Sequence, residues 1–332
     1  MNDILNKIDN MDNLVELHMH LDGAISFDNA KKLASLQNIN IPSDDEILSL
    51  MQVSKDCHDL NEFLTKFDFP LSLMQTKESI KLAVKNLSDE LVNQGIMYAE
   101  IRFAPQYHMN KGLTQEEVVN AAIEGMKLSN LKSNLILCTM RGMDTYDKNI
   151  ETIKLAKKYL GNGVCAIDLA GAEGLYKTSD YKYIFDLAKE LNVPYTIHAG
   201  EADGPSSVAS AISFGTKRIG HGVRSSEDLS LINEIKNKSI TLEVCPTSNI
   251  CTSIYDKVDE MPIKLFMDND INITINTDDP AICNTSLKEE LKKIAMAFNL
   301  TYEDILKFEV NAVNASFADD ETKKELLNKI KD

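Results

Sequence analysis

Four of the six histidines in this sequence lie close to acidic or glycine residues, at a spacing that suits metal binding. His18 and His20 fall in the apolar segment LVELHMH, which has the composition of a β-strand. Because side chains alternate along a strand, both imidazoles face the same side and can reach one metal ion. A His-x-His pair is too short to be specific alone, so its meaning depends on the remaining histidines.

His198 and Asp278 provide the donor atoms that would complete such a site. Three imidazole nitrogens and one carboxylate oxygen suit zinc, and a water molecule in the open position makes the site catalytic. Zinc lowers the pKa of this water enough to supply hydroxide near neutral pH. His221 is not needed as a ligand and can exchange protons. Glu201 follows His198 closely and Asp279 is next to Asp278, so both extend the candidate site.

The strands that must position these residues recur along the whole chain. Eight strand-like segments alternate with helical patterns, which predicts an α/β fold with a parallel sheet and favours closure into a (β/α)8 TIM-type barrel. Most of the segments end in polar or glycine-rich clusters, and the carboxyl ends of barrel strands meet at one face. An open doubly wound sheet is the alternative, but it would need a glycine-rich phosphate loop that the sequence lacks. The predicted strands are residues 14–20, 97–104, 135–140, 164–171, 194–201, 218–223, 240–248 and 271–280, and helices are predicted at 116–131, 149–160, 181–191 and 226–236.

A long helical insertion separates the first two predicted strands. It contains helical patterns at residues 29–36 and 79–93, and the chain is helical again from Leu287 to its end. Between the two insertion helices, one helical stripe carries apolar side chains that are typical of either plain packing or a cover for a pocket: Leu60, Phe63, Leu64 and Phe67. The sequence has no repeat or Pro/Gly/Ser linker, so we expect one domain spanning residues 1–332.

Composition excludes several classes of partner. The formal net charge of −16 argues against binding to nucleic acid or to anionic membranes. The six cysteines are scattered without CxxC pairs, which is typical of free thiols in a reducing compartment. The N-terminus has no apolar signal segment, so we expect a cytoplasmic protein. His58 and His108 are interpreted as surface or structural residues, and nothing in the sequence indicates an oligomeric state.

The motifs VELHMHLDG, DLAGAEG, TIHAGE, GHG and NTDDPA, in this order, resemble the signature set of the adenosine deaminase family. The segments LTKFDF and EIRFAP also resemble that family, and the similarity extends from about residue 14 to residue 316. The resemblance implies an amidohydrolase-type barrel with one zinc ion per chain. It further implies hydrolytic deamination of a purine nucleoside, adenosine and 2′-deoxyadenosine, to the inosine product and ammonia in purine salvage. A departure is Ala172, where the family often has an acidic residue.

The resemblance also assigns roles to individual residues. His18, His20, His198 and Asp278 would bind zinc. Glu201 would protonate N1 of the purine, and His221 would orient and deprotonate the water that attacks C6. The remaining residues would contact the substrate: Asp279 at N7, the backbone N–H of Gly171 at N3, Asp22 at the ribose 5′-hydroxyl, His20 beside the reacting centre, and Leu60, Phe63, Leu64 and Phe67 as a lid.

Several other activities remain as alternatives. Adenine-specific relatives tend to have Glu in place of Asp22, and an AMP deaminase would need a cationic phosphate pocket. Methylthioadenosine is a further candidate substrate. A binuclear metallohydrolase would need a Lys or Glu at the end of the fourth strand, and the cytidine-deaminase type of zinc site needs a Pro-Cys-x-x-Cys pair that Cys245–Cys251 does not match. A binding protein without catalysis should lack a ligand or a proton-transfer residue, yet all are present.

Overall fold

The computed structural model describes residues 2–40, 43–54, 57 and 59–331, and its centre is a set of parallel strands. Strands β1 to β4 pair in sequence order in one sheet, and β5 to β8 pair in the same way in another. All of these pairings are parallel, as the nearly continuous apolar strand sequences predict. The strands are β1 Leu14–His20, β2 Ile96–Phe103, β3 Lys132–Met140, β4 Val164–Ala170, β5 His198–Ala199, β6 Arg218–His221, β7 Thr241–Val244 and β8 Asn272–Ile275.

Backbone hydrogen bonds join the two sheets at both of their edges. At β4, the N–H of Ile167 donates to Pro194 O and the N–H of Thr196 donates to Ile167 O, each at 3.0 Å. At β1, the N–H of Asp278 donates to His18 O at 2.8 Å. The eight strands therefore form a closed ring, and the predicted (β/α)8 barrel is confirmed.

Helices surround the ring, and the extra helices lie where the sequence predicts them. Helices α2 to α6 fall between β1 and β2, and α14 to α16 follow β8. Of these, α15 and α16 pack against β1 through a small apolar cluster that includes Val15, Leu17, Val313 and Leu326. The helices are α1 Asn2–Asp9, α2 Phe27–Leu36, α3 Asp44–Met51, α4 Leu60–Leu64, α5 Asp68–Leu73, α6 Lys77–Asn93, α7 Gln115–Met126, α8 Tyr146–Tyr159, α9 Lys182–Glu190, α10 Pro205–Ser213, α11 Leu229–Asn237, α12 Pro246–Cys251, α13 Ile263–Asp268, α14 Leu287–Phe298, α15 Tyr302–Ala315 and α16 Asp320–Lys331.

Several predicted strands are longer than the observed ones. The strand predicted over residues 218–223 ends at His221, and the one predicted over 271–280 ends at Ile275. His221 and Asp278 have φ values of 59° and 62°, a left-handed conformation that cannot continue a strand. The strand predicted over residues 240–248 ends at Val244, because Pro246 has no N–H to donate and begins α12. The chain therefore leaves the sheet earlier than apolar composition indicates.

The interior of the barrel contains charged side chains as well as aliphatic ones. Five ionisable residues on the strands are completely or almost completely buried, and ion pairs join them into one network: Glu100, Arg102, Asp168, Arg218 and Glu243. Burial of so many charges is stable only when each is paired. This network was not predicted from the sequence, although these residues alternate with the apolar ones along their strands.

Two further features are the state of the cysteines and the character of the helices. All six cysteines are free thiols, as their irregular spacing predicts. Within the described part of the chain, none of the helices combines the length and the apolar character that a bilayer span requires.

Candidate metal centre and active site

Four predicted metal ligands meet at the carboxyl end of the barrel. His18 and His20 are on β1, His198 is on β5, and Asp278 follows β8. The Nε2 atom of His198 lies 3.1 Å from Nε2 of His18 and 3.2 Å from Nε2 of His20. Oδ1 of Asp278 lies 3.2 Å and 3.3 Å from the same two nitrogens of His18 and His20. The structure thus brings together residues from distant parts of the chain, with their donor atoms facing one point.

The protonation of these imidazoles indicates why a cation belongs between them. Nδ1 of His18 lies 2.7 Å from Oε2 of Glu243, and Nδ1 of His198 lies 2.8 Å from Oδ2 of Asp168. A carboxylate accepts a hydrogen bond from Nδ1–H, which leaves the lone pair on Nε2. Lone pairs of neighbouring nitrogens then face each other and a carboxylate oxygen, an arrangement that is repulsive without a positive charge.

The separations of the donor atoms agree with a tetrahedral ion. Metal–nitrogen bonds of about 2.0–2.1 Å place tetrahedral ligands about 3.3–3.4 Å apart, close to the observed distances. Three imidazoles and one carboxylate are ligands that zinc accepts, and a water molecule would join these four as a fifth ligand, a coordination number to which zinc can expand. The residues therefore fit the predicted zinc ion, and their role as ligands stays a prediction.

Two buried carboxylates orient the histidines, and an arginine joins them. Arg102 donates to Asp168 Oδ2 at 2.9 Å and to Glu243 Oε2 at 2.8 Å. Burial raises the pKa of Asp168, but His198 and Arg102 outweigh burial and hold this pKa below its usual range. Burial is likewise outweighed at Glu243, where Arg218 and Arg102 hold the pKa well below the ordinary value. Both carboxylates are therefore ionised and can accept hydrogen bonds from the imidazoles.

The two predicted proton-transfer residues lie beside the ligand cluster. Nε2 of His221 is 3.6 Å from Oε2 of Glu201 and 3.7 Å from Oδ2 of Asp278. Burial, together with His18 and His198, lowers the pKa of His221 to about 3, against the opposing effect of Asp278. Burial, followed by the charges of Asp278 and Glu173, raises the pKa of Glu201 well above its usual value. Both shifts favour the neutral forms, a protonated acid at Glu201 and an unprotonated base at His221.

Asn249 and Ser248, on α12, hold two of these groups. Nδ1 of His221 lies 3.1 Å from the amide of Asn249, and Ser248 donates to Asp278 Oδ2 at 2.7 Å. An asparagine side chain can present either its oxygen or its nitrogen at such a position. Its oxygen would accept a hydrogen bond from Nδ1–H and leave Nε2 of His221 as the base. Neither residue was predicted, although both lie in the polar cluster that follows β7.

A profile of the adenosine deaminase family matches residues 13–332 of this chain. The chain belongs to the adenosine deaminase family. It is 41% identical to the adenosine deaminase of Haemophilus ducreyi over 324 residues, which are 95% of this chain and 94% of that protein. It is 39% identical to the adenosine deaminase of Clostridium botulinum (strain 657) over 319 residues, which are 94% and 96% of the two chains.

Solved structures of more distant proteins have the same fold. The adenine deaminase of Arthrobacter aurescens superposes with a TM-score of 0.86 at 24% identity, covering 96% of this chain and 98% of the other. An amidohydrolase with bound Zn superposes with a TM-score of 0.84 at 20% identity, covering 96% and 90% of the two chains. At this level of identity the similarity supports the barrel fold alone.

The family motifs converge on one cavity of about 600 Å³. Every residue predicted for the site except His18 lines this cavity, and His18 lies behind His20 and His198. Ala172 also lines it, and its carbonyl accepts hydrogen bonds from the N–H groups of Leu175 and Tyr176. The local turn therefore forms without the acidic residue that the family often has there.

The apolar stripe of the insertion forms one wall of the cavity. Leu60 and Leu64 lie on α4, and a short 3-10 turn, Thr65–Phe67, continues it. Leu60, Phe63 and Phe67 are buried and pack with Ile282 against the segment that follows Asp279. The stripe thus packs in an apolar cluster and lines the cavity, and its role as a lid over the substrate stays a prediction.

Two acidic residues of the cavity have oxygens without a hydrogen-bond partner in the described structure. They are Oδ1 of Asp22 and Oδ1 of Asp279, and both side chains are buried. Burial raises the pKa of Asp22 to about 6. Burial, with the charges of Asp278 and Asp22, raises the pKa of Asp279 well above its ordinary value. Buried polar atoms normally have partners, so these two oxygens are the best candidates for contacts with a ligand.

Gly23 makes the position of Asp279 possible, which gives a first prediction. A Cβ atom at Gly23 would lie 1.7 Å from Oδ1 of Asp279, a distance that no two unbonded atoms tolerate. We expect Gly23→Ala to displace this carboxyl group and to lower kcat/KM by about 100-fold, because small misplacements at a reacting centre are costly. Steady-state kinetics with adenosine would measure the loss. Gly204→Ala is a suitable control, since Gly204 has a φ of −85° and its Cβ would have no neighbour closer than 3.6 Å. Equal losses in the two variants would contradict the prediction.

Sequence reasoning missed the residues that support the ligands and the acid. Arg102, Asp168 and Glu243 orient two histidines, while Glu173 and Arg141 contact the segment from His198 to Asp203. What could have identified these supporting residues in the sequence is that each is a polar residue at an inward-facing strand position, at a strand end or in a family motif. His108 is buried, with Nδ1 bonded to Met74 O at 2.8 Å, which agrees with a structural role, and His58 lies outside the described residues.

Proposed function

We propose that this chain catalyses the zinc-dependent hydrolytic deamination of adenosine and 2′-deoxyadenosine, giving the inosine nucleoside and ammonia. The observation that supports it most is the convergence of three imidazoles and Asp278 beside Glu201 and His221, in one cavity of an adenosine deaminase family member. We also propose that residues 1–332 form one domain that acts in purine salvage in the cytoplasm. Its free thiols are consistent with a reducing compartment.

We propose one zinc ion per chain, bound by His18, His20, His198 and Asp278. A zinc ion held there supplies a strong nucleophile at neutral pH, because it lowers the pKa of water. The amidohydrolase with bound Zn that shares this fold agrees with this choice of metal. Asp168 and Glu243 keep the histidines in the tautomer that a metal requires.

The proposed chemistry is divided between an acid and a base. Glu201 donates its proton to N1 of the purine. Protonation makes C6 electrophilic and prevents negative charge from developing on the ring when C6 is attacked. His221 takes the proton from the attacking water through Nε2 and returns it to the leaving amino group. The C6–N bond then breaks and ammonia departs, while the proton of the new C6 hydroxyl passes to the Glu201 carboxylate, so the ring keeps a carbonyl oxygen and both Glu201 and His221 return to their starting forms. The elevated pKa of Glu201 and the depressed pKa of His221 suit these roles.

The charge of the cavity favours a nucleoside over a nucleotide. Asp22, with its unpartnered oxygen, can accept a hydrogen bond from the ribose 5′-hydroxyl. A 5′-phosphate at that place would meet a second anion. Of the two cations that line the cavity, Arg141 is buried and already donates to His198 O, Tyr176 O and Thr178 Oγ1, while Lys148 is exposed to solvent. AMP is therefore expected to be a poor substrate.

Zinc-loaded protein tests the proposal directly. Adenosine, 2′-deoxyadenosine, methylthioadenosine, adenine and AMP would be compared by the ultraviolet change on deamination and by ammonia release. Turnover should be highest with adenosine and 2′-deoxyadenosine, should disappear after removal of metal with a chelator, and should return with zinc. Tight binding of adenosine without turnover would favour a binding protein, and preference for adenine would favour the alternative activity.

Asp22→Ala provides a further prediction on substrate choice. Loss of the carboxylate should raise KM for adenosine by about 10-fold to 100-fold, the value of a hydrogen bond to a charged group. The affinity for adenine, which has no ribose, should change little. Inhibition constants for the two compounds in the parent and variant proteins would measure this difference. If both affinities fell equally, Asp22 would have no specific contact with the 5′-hydroxyl.

A further inference from the structure

The loop that carries Glu201 is bound by a carboxylate from the neighbouring strand end. Oε1 of Glu173 accepts a hydrogen bond from the N–H of Gly200 at 2.7 Å. Its Oε2 accepts from the N–H of Glu201 at 2.9 Å and from the N–H of Asp203 at 3.0 Å. Ser207 Oγ donates to Glu173 as well. Three backbone amides of one loop thus surround the carboxylate of Glu173, as in the backbone nests that bind phosphate.

The environment of Glu173 makes this arrangement rigid. The Glu173 side chain is only 1% exposed, so water cannot replace it as the acceptor for these amides. Hydrogen bonds to an ionised acceptor are stronger than neutral ones. Gly200 has a φ of 74°, so the chain turns sharply immediately before Glu201. The position of the Glu201 backbone therefore depends on Glu173.

Glu173 also connects the two expected contacts with the purine ring. It lies two residues after Gly171, whose N–H is expected at N3, and it binds the backbone of Glu201, which is expected at N1. Both contacts must be satisfied by one rigid ring at the same time. Because Glu173 links the loops that follow β4 and β5, it sets the distance between the N–H of Gly171 and Glu201.

We propose that Glu173 is a positioning residue that holds the Glu201 loop against the segment containing Gly171, so that acid and amide meet one purine ring. This inference rests on the proposed function. Proton delivery by Glu201 then depends on the carboxylate of Glu173 as well as on the environment of Glu201, although Glu173 has no contact with the substrate.

Glu173→Gln is the main test, because it keeps the shape and replaces one acceptor oxygen with an NH2 group. That group would face backbone N–H donors, and the loop should shift. We expect kcat/KM for adenosine to fall by about 100-fold, mainly through kcat, with the zinc content unchanged by atomic emission. Activity near that of the parent protein would overturn the proposal, and so would an equal loss of zinc, which would indicate general damage around His198.

A double-mutant cycle separates positioning from a purely structural role. If Glu173 acts through Glu201, Glu173→Gln should cost little in a Glu201→Gln background, because the interaction it supports is already lost. Equilibrium affinity gives an independent measurement. Inosine presents N1–H to Glu201, whereas its 1-deaza analogue does not, so Glu173→Gln should weaken inosine more. Additive losses in the cycle, or equal weakening of both ligands, would overturn the inference.

Two other variants serve as matched controls. Glu303→Gln makes the same chemical change at an exposed position on α15, so kcat should change little. Glu173→Asp keeps the charge with a shorter reach and should recover part of the activity lost in Glu173→Gln. Absence of adenosine turnover in the zinc-loaded parent protein would contradict the proposed function itself, whereas normal turnover in Glu201→Gln would remove the acid role on which this inference rests. An inactive Glu201→Gln together with a fully active Glu173→Gln would refute only the positioning role.

Discussion

Glu201→Gln is expected to lower kcat for adenosine by about 1000-fold or more, because general acid catalysis and stabilisation of developing charge both depend on this group. Glutamine has nearly the same shape, but its amide cannot give a proton to N1. Attack at C6 would then have to place negative charge on the ring. Burial raises the pKa of Glu201 and favours its protonated form, so the substitution removes the proton that this group is proposed to donate. Steady-state and single-turnover kinetics would measure the effect.

Metal content distinguishes this effect from loss of the metal centre. Glu201→Gln should retain zinc, since its carboxyl group is not among the four converging donors. His198→Ala is the matched comparison: it removes one of these donors and should lose most of its zinc in a chelator competition. Near-normal kcat in Glu201→Gln would rule out N1 protonation by this residue. Full zinc occupancy in His198→Ala would remove His198 from the ligand set.

Arg102→Met is expected to weaken both folding and zinc binding. It leaves Asp168 and Glu243 without a shared partner inside the barrel, where the arginine is 0% exposed. Removing one partner of a buried ion pair costs about 3–5 kcal/mol of unfolding free energy. Both carboxylates also orient histidines, and loss of such outer contacts lowers metal affinity by about 10-fold to 100-fold. Denaturant unfolding of metal-free protein and zinc competition would measure the two effects separately.

Single substitutions of the two carboxylates show whether Arg102 acts through both histidines. Asp168→Asn affects only the contact with His198, and Glu243→Gln affects only the contact with His18 among the ligands. Each should weaken zinc binding less than Arg102→Met does. Unchanged zinc affinity in Arg102→Met, with stability reduced, would confine the arginine to a structural role.

Much of the barrel could be predicted because strand composition and strand order are local properties of the chain. Runs of Val, Ile and Leu of limited length, separated by helical patterns, predict buried parallel strands. The extra helices after β1 and at the C-terminus were predicted for the same reason. Strand ends were less accurate, since a left-handed residue such as His221 ends a strand without a signal in side-chain type.

The predicted site residues also depended on local information, the identity of residues at strand ends. His18 and His20 alternate on β1, and barrel topology then brings His198 and Asp278 to the same face. The supporting residues were not found in this way. Nothing near Arg102 in the sequence indicates that it pairs with Asp168 and Glu243, because those contacts join three different strands.

From the amino-acid order alone, the barrel, the donor atoms of the candidate metal centre and a base at His221 could be inferred, because residue type and strand periodicity carry that information. The acid role of Glu201 was implied by the resemblance to the family. The protonation states of the site residues could not be inferred in this way. The raised pKa of Glu201 and the lowered pKa of His221 arise mainly from burial, and the ionised state of Asp168 and Glu243 from arginines on other strands. Burial and charge pairing exist only after distant segments pack together, so the chemistry of these groups is a property of the folded barrel.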